Sequence, residues 1–183
     1  IQYSPSDDLA GNENVNGVEL IIEGEIQANG TASNPIIFTG MNDPGPGANA
    51  TGVRITVAAR ASSLTYAEFA GLANAIDIRN ITGMTIDNVT VSDALNGLVR
   101  TTNNLPLAIT NSAITASNKA VELAAPTQDI TLTNNHIVGG VYALDIGALD
   151  ANVTLRVSSS TVTGPVKVSS VGTYPNTSAL PVQ

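Results

Sequence analysis

Apolar residues recur at a fixed interval along the second half of the chain. One column of apolar positions has steps of 23 residues, and a second column has steps of 22 or 23. The first comprises Ile86, Ile109, Leu132 and Leu155, and the second comprises Ile76, Leu98, Val121, Leu144 and Val166. An interval of this length means that one structural unit is stacked on copies of itself. It constrains the fold far more than it constrains the function.

Each repeat contains three short stretches with strand character. The first stretch is an apolar-polar-apolar triplet, such as Ile76-Asp77-Ile78 or Leu144-Asp145-Ile146. Side chains that alternate in this way lie on opposite faces of a β-strand. Three strands in a repeat this short predict a parallel β-helix, because two-helix repeats need more residues. We therefore predict an all-β, single-domain solenoid over residues 18–168, between a polar N-terminal arm at 1–17 and a C-terminal tail at 169–183.

An asparagine column follows the same interval. Asn88, Asn111 and Asn134 are each separated by 23 residues. Asparagine tolerates the left-handed backbone conformation of tight corners, and amides stacked in register can hydrogen-bond between coils. We predict a structural asparagine ladder at one corner of the solenoid. The ladder is expected to end after Asn134, because the next step falls on Val157 beside three serines.

Charge and composition exclude several classes of function. The chain has 7 basic and 15 acidic residues, a net charge of −8, and therefore no cationic surface for nucleic acid or anionic lipid. No apolar run approaches the roughly 20 residues that span a bilayer, so we expect no membrane insertion. The absence of cysteine excludes disulfides and thiol chemistry. His136 is the only histidine, which excludes a zinc site with several histidines, and we expect it to point to solvent.

Two segments resemble a known superfamily. Residues 24–40 read GEIQANGTASNPIIFTG and resemble the first coils of right-handed parallel β-helix surface proteins. The later Ile-Thr-Asn and Leu-Thr-Asn units resemble the pectate-lyase-like β-helix superfamily. The resemblance implies a right-handed helix and an extracellular or cell-surface location. It leaves the activity open, because the superfamily includes lyases, hydrolases, adhesins and structural proteins.

One column of outward residues is a candidate acidic site. The outward position of the first strand gives Arg54, Asp77, Val99, Glu122, Asp145 and Lys167. The resemblance implies that a lyase would hold Ca²⁺ in an acidic cluster beside an Arg or Lys base, and that a hydrolase would cluster two or three Asp. Glu122 and Asp145 would be neighbours on adjacent coils and could bind Ca²⁺ or share a proton. We favour the alternative of a solvated face whose charges keep the coils in register, because no long loop beside the column forms a cleft.

Other surface features bear on binding without catalysis. Exposed aromatic rings would suit glycans, but Tyr66 and Phe69 fit better as core residues. A regular threonine array would suit ice. The candidate array is Thr65, Thr85, Thr131 and Thr154, interrupted at Ala108. Sequons that permit glycosylation of a secreted protein start at Asn29, Asn49, Asn80, Asn152 and Asn176.

The ends of the solenoid carry no sequence signal for a cap. Residues 1–17 lack a helical apolar period, and the tail contains Gly172, Pro175 and Pro181. Uncapped coils expose strand edges, so we expect the ends to be covered by more solenoid or by copies of this chain. The N-terminal arm could add as a strand to a neighbour. The predicted function is a non-catalytic extracellular structural or adhesive protein that assembles end to end into a homo-oligomer or filament. The alternative is a polysaccharide lyase or glycoside hydrolase.

Overall fold

The chain forms a parallel β-solenoid. The computed structural model describes residues 2–3, 20–40, 51–56, 62–79, 83–100, 106–149 and 152–170. In these ranges the chain forms strands and no helix. The strands are β1 (Gln2–Tyr3), β2 (Ile21–Ile22), β3 (Gln27–Asn29), β4 (Ile36–Gly40), β5 (Thr51–Ile55), β6 (Ser62–Thr65), β7 (Ala67–Ala70), β8 (Asn74–Ile78), β9 (Met84–Asp87), β10 (Thr90–Arg100), β11 (Leu107–Thr110), β12 (Ala113–Leu123), β13 (Ile130–Thr133), β14 (His136–Gly139), β15 (Tyr142–Leu149), β16 (Leu155–Ser158), β17 (Thr161–Thr163) and β18 (Val166–Ser170). The all-β solenoid predicted from the repeat is confirmed.

The strands form three parallel stacks around one core. Stack 1 contains β2, β5, β8, the second half of β10, the second half of β12, β15 and β18. Stack 2 is the six-stranded sheet of β3, β6, β9, β11, β13 and β16. Stack 3 contains β1, β4, β7, the first half of β10, the first half of β12, β14 and β17. The chain passes through the stacks in this order in each coil, and β10 and β12 run through the bend from stack 3 to stack 1.

The repeated apolar columns lie inside the solenoid. In stack 1 the structure pairs Ile76, Leu98, Val121, Leu144 and Val166 in succession. In stack 2 it pairs Ile86, Ile109 and Leu132 in the same way. All of these side chains are fully buried except Val166, which is partly buried. Burial of one such side chain contributes about 1.5–3 kcal/mol. Neighbouring coils cover these side chains, so the stability of each coil depends on stacking against the next.

The last coil departs from the predicted interval. Val157 pairs with Leu132, whereas Leu155 pairs with Ile130, so the predicted step from Leu132 to Leu155 was wrong. Leu155 is nevertheless buried, with 3% exposure. A shift of two residues leaves the same face of a strand inward, so alternation cannot choose between the two registers. The return turn of this coil passes through Gly164 at φ 118°, a conformation that favours glycine.

The structure also differs from the predicted boundaries. Gln2 and Tyr3 of the predicted arm pair with Thr39 and Gly40 of the same chain. Strand β18 continues to Ser170, two residues beyond the predicted end of the solenoid. The rest of the arm and of the predicted tail lies outside the described residues.

Candidate functional site

A left-handed residue marks the corner between stack 2 and stack 3. The corner residues are Tyr66, Asn88, Asn111, Asn134 and Ser159, with φ values of 47°, 52°, 51°, 56° and 50°. The predicted asparagine column therefore lies at a corner, and Ser159 continues it after a step of 25 residues. Asparagine adopts this conformation readily, but for a bulky residue such as Tyr66 it is an outlier. A strained backbone of this kind costs of order 1–3 kcal/mol.

The asparagine column is linked partly through a carboxylate. Asn134 Nδ2 donates to Asn111 Oδ1 at 2.7 Å, as a ladder requires. Asn111 Nδ2 instead donates to Asp87 Oδ1 at 2.8 Å, and Asn88 Nδ2 donates to Asp87 Oδ2 at 2.8 Å. Asn111 and Asn134 are exposed. The column thus lies on the outer surface, and the sequence did not predict the part that Asp87 plays in it.

A second polar ladder, which the sequence analysis missed, lies inside the corner. Ser112, Asn135 and Ser160 directly follow corner residues and are buried. Ser112 Oγ accepts from the Val89 backbone N–H at 3.0 Å, Asn135 Oδ1 accepts from Ser112 N–H at 2.9 Å, and Ser160 Oγ accepts from Asn135 N–H at 3.0 Å. Asn135 Nδ2 also donates to the Ile109 carbonyl at 2.9 Å. The signal for this ladder was a polar residue after each corner from Asn111 onward.

Asp87 is held in its charged form. Its Oδ1 also accepts from Thr110 Oγ1 at 2.5 Å. Burial raises the pKa of the Asp87 carboxyl, but hydrogen bonds from Thr110, Asn111 and Asn88 outweigh it and leave the pKa below its ordinary value. At neutral pH the carboxylate therefore links its own coil to the next one through hydrogen bonds from Thr110 and Asn111.

Replacing Asp87 with asparagine is expected to lower the free energy of unfolding by about 1–2 kcal/mol at neutral pH, allowing for partial exposure. The folded-state pKa lies below the unfolded-state value of about 3.9. The contribution of the carboxylate is therefore complete above the unfolded value and is lost as the pH falls through the folded value. Urea denaturation from neutral to acidic pH should show wild type and variant converging in acid. Exposed Glu23 offers a matched control, Glu23→Gln, and a gap for Asp87→Asn that does not change with pH would contradict this account.

The predicted outward column of stack 1 is assembled as expected but is joined by ion pairs. Strand pairing places Arg54, Asp77, Val99, Glu122, Asp145 and Lys167 on successive coils. Arg54 Nε lies 2.8 Å from Asp77 Oδ2, and Arg79 Nη2 lies 3.1 Å from the same oxygen. Arg54 and Asp77 are each 3% exposed and Asp145 is 7% exposed. The expectation of a solvated face was wrong at these three positions.

The predicted acidic pair is bridged by a lysine. Lys119 Nζ bonds to Glu122 Oε1 and lies 2.7 Å from Asp145 Oδ2, while Lys167 Nζ lies 3.5 Å from Asp145 Oδ1. Burial lowers the pKa of Lys119, but its bonds to Asp145 and Glu122 outweigh burial and raise the pKa above its ordinary value. A charged ammonium thus occupies the place between the carboxylates that Ca²⁺ would need. No set of three or more His, Cys, Asp or Glu among the described residues is arranged to hold a metal ion.

A polar groove of about 710 Å³ runs along the outside of the corner. One wall consists of the corner residues from Tyr66 to Ser159. The other consists of the outward residues of stack 3, which pair from strand to strand: Glu68, Thr90, Ala113, His136 and Thr161. The turn at Thr31–Asn34, followed by Pro35, lies at the N-terminal end. Four strand spacings of about 4.8 Å separate Tyr66 from Ser159, so the groove is roughly 19 Å long.

Two groove residues bear on the sequence predictions. His136 is exposed, as expected, while the following Ile137 is buried. Tyr66 was expected in the core but is only half-buried and lines the groove. By contrast Phe69 is buried and stacks on Phe38, with ring centroids 4.6 Å apart. The left-handed corner turns Tyr66 outward.

The groove carries polar groups without a protein partner. Within the described residues, nothing hydrogen-bonds to the side chains of Tyr66, Glu68, Thr90, His136 or Thr161. Glu68 is the one carboxylate among the lining residues. It lies three strand spacings, about 14 Å, from His136. Thr90 and Ala113 occupy the two strands between them, so the carboxylate and the imidazole are not neighbours in the column.

Two of the predicted glycosylation sites lie among the described residues. Asn29 and Asn152 are exposed, although Asn29 Oδ1 accepts from Ser63 and Thr65 hydroxyls at 2.9 and 2.8 Å. Asn49, Asn80 and Asn176 lie outside the described residues. The threonines form no regular array in the described strands: Thr65 pairs with Asp87, and Thr131 pairs with Ala108 and Arg156.

Comparison of the chain with protein-family models, with curated proteins and with solved structures found no match. In the described ranges the chain contains no helix long and apolar enough to cross a bilayer.

Proposed function

We propose that this chain is a non-catalytic adhesive or structural protein of the cell surface or extracellular space. It is built as a right-handed β-helix that resembles surface proteins of the pectate-lyase-like superfamily, and right-handed connections are the rule for parallel strands. The observation that carries the proposal is the groove along the corner. Its uncommitted hydroxyl, imidazole and carboxylate groups suit a ligand. Among the described residues that line it, the one carboxylate, Glu68, lies three strands from the one histidine, His136.

The alternative is a polysaccharide lyase or glycoside hydrolase. The observation that supports it is the presence of Glu122 and Asp145 on adjacent coils. Both carboxylates bond to Lys119, so a cation or a water nucleophile would first have to displace an ammonium group. This partly buried cluster links adjacent coils and has a structural role. We therefore favour binding without turnover.

The purified protein is expected to be retained on immobilised polysaccharide or cell-surface glycan without cleaving it. Retention is measured by affinity electrophoresis, and cleavage by assays for new reducing ends and for unsaturated products. The double variant Glu122→Gln/Asp145→Asn should be retained as well as wild type. Product release by wild type that disappears in the double variant would establish the enzymatic alternative instead.

We also propose end-to-end assembly of copies of this chain. Within the described part of the chain, β16, β17 and β18 each pair with a strand on one side only. Strand edges of this kind are templates for further pairing, and the N-terminal coils have the same three-stack arrangement. Light scattering and electron microscopy at increasing protein concentration should show oligomers or filaments. A stable monomer at all concentrations would contradict assembly without affecting the adhesive proposal.

A further inference from the structure

Tyr66 occupies a position that disfavours it. The equivalent corner residue is asparagine in the next three coils and serine in the fourth. Asparagine at this position would relieve the backbone strain, since a φ near 50° is an outlier for a bulky residue. The strained residue is also an aromatic one that lines the groove. Strain retained at one site, where an unstrained residue serves in neighbouring coils, points to a role in binding.

The chemistry of the groove suits an uncharged ligand rich in hydroxyl groups. Thr90, Thr161 and Tyr66 offer hydroxyls that both donate and accept, and Glu68 accepts. No lysine or arginine is found among the described residues that line the groove, and the chain carries a net charge of −8. A polyanion would therefore meet a carboxylate and no strong cation.

The shape of the groove suits a short linear chain. Its volume of about 710 Å³ lies within the roughly 300–1,000 Å³ of small-molecule sites. It is elongated along the solenoid axis, and the turn at Thr31–Asn34, closed by backbone hydrogen bonds of 3.1 and 3.0 Å, limits it beyond Tyr66.

A peptide is a poorer fit than a sugar chain. Extended peptides bind by adding to an exposed strand edge. Along this wall the backbone N–H groups of Asn88, Asn111 and Asn134 already donate to the next coil at 3.0–3.1 Å. These three N–H groups are therefore not available to an added peptide strand.

We propose that the groove binds a short, uncharged, linear oligosaccharide along the solenoid axis, with Tyr66 against a sugar ring and Glu68, Thr90, His136 and Thr161 bonding to its hydroxyls. This inference rests on the proposed adhesive function and names the ligand class and the binding site. Tyr66 is a binding residue that the surrounding fold holds at a cost in stability.

The test uses cellohexaose, maltohexaose, xylohexaose and N-acetylated chitohexaose as neutral probes, with hexagalacturonate as the anionic comparison. Calorimetric titration should show binding of at least one neutral probe. Tyr66→Asn should weaken that binding about tenfold or more, as expected for a central aromatic contact. The same variant should raise the melting temperature by about 2–4 °C through relief of strain. The control Thr85→Asn, on the exposed outward face of stack 2, should leave affinity unchanged.

Three results would overturn the inference. Equal affinity of Tyr66→Asn and wild type would place the glycan elsewhere, and binding of hexagalacturonate alone would reject the ligand class. Capture of extended peptides that is lost in Tyr66→Asn would reject a sugar ligand. If no neutral probe binds while the protein is still retained on polysaccharide, the inference fails and the adhesive function stands. Absence of retention on any glycan would remove the adhesive function as well.

Discussion

Replacing Asp77 with alanine is expected to lower the free energy of unfolding by about 3–5 kcal/mol, the largest effect of any single substitution proposed for this chain. The reason is the guanidinium that would be left behind. Arg54 is 3% exposed, and its Nε lies 2.8 Å from Asp77 Oδ2. Arg54 Nη1 is already buried without a hydrogen-bond partner among the described residues. Without Asp77 the positive charge would be buried and uncompensated.

The measurement is urea denaturation followed by far-ultraviolet circular dichroism. The double variant Arg54→Met/Asp77→Leu removes both charges and should recover most of the stability, because an apolar pair avoids the desolvation cost. Arg79 is a useful comparison, since its side chain is 39% exposed and Arg79→Ala should cost less than about 1 kcal/mol. A double variant as unstable as Asp77→Ala would show that packing, rather than charge, dominates at this site.

Replacing Asn135 with alanine is expected to cost about 2–4 kcal/mol. The side chain is 4% exposed and accepts from Ser112 N–H and donates to the Ile109 carbonyl, both at 2.9 Å. Alanine would leave a buried donor and a buried acceptor unpaired, at about 1–3 kcal/mol each. The loss of stability should exceed the loss caused by removing an exposed hydrogen bond, because no water replaces the missing partner.

The adjacent residue supplies the matched control for this second prediction. Asn134 is exposed and at φ 56°, so Asn134→Gly keeps the corner conformation and should cost under about 1 kcal/mol. Hydrogen exchange at the Ser112 amide should accelerate in Asn135→Ala but not in Asn134→Gly. Equal destabilisation by the two substitutions, or an unchanged Ser112 amide, would mean that the buried ladder contributes little.

The register of stack 1 could be predicted because equivalent apolar residues recur every 22 or 23 positions from Ile76 to Val166. Ile76, Leu98, Val121 and Leu144 pair at the predicted steps. The same reasoning was wrong for Leu155, where a longer connection shifts the strand by two residues. Alternation with period two is unchanged by such a shift, so the register of that strand depends on contacts with the preceding coil.

The alternation of apolar and polar residues does not predict the two polar ladders or the position of Tyr66. Ile86, Val89 and Val91 all point inward, so the left-handed corner at Asn88 shifts the inward phase by one residue. Serine and asparagine at the shifted position, as in Ser112 and Asn135, read as surface residues in the sequence although they are buried. The phase shift becomes visible only when the backbone conformation of the corner is known.

By itself the sequence determined the parallel β-solenoid, its apolar columns, the position of the asparagine corner and the order of charges along stack 1. Only the tertiary structure decided that Arg54 and Asp77 are buried together, that Lys119 lies between Glu122 and Asp145, and that a polar groove runs beside Tyr66. The physical reason is that periodicity reports which residues share a face of one strand. Hydrogen bonds, ion pairs and grooves depend on which side chains of different coils come within a few ångströms of each other.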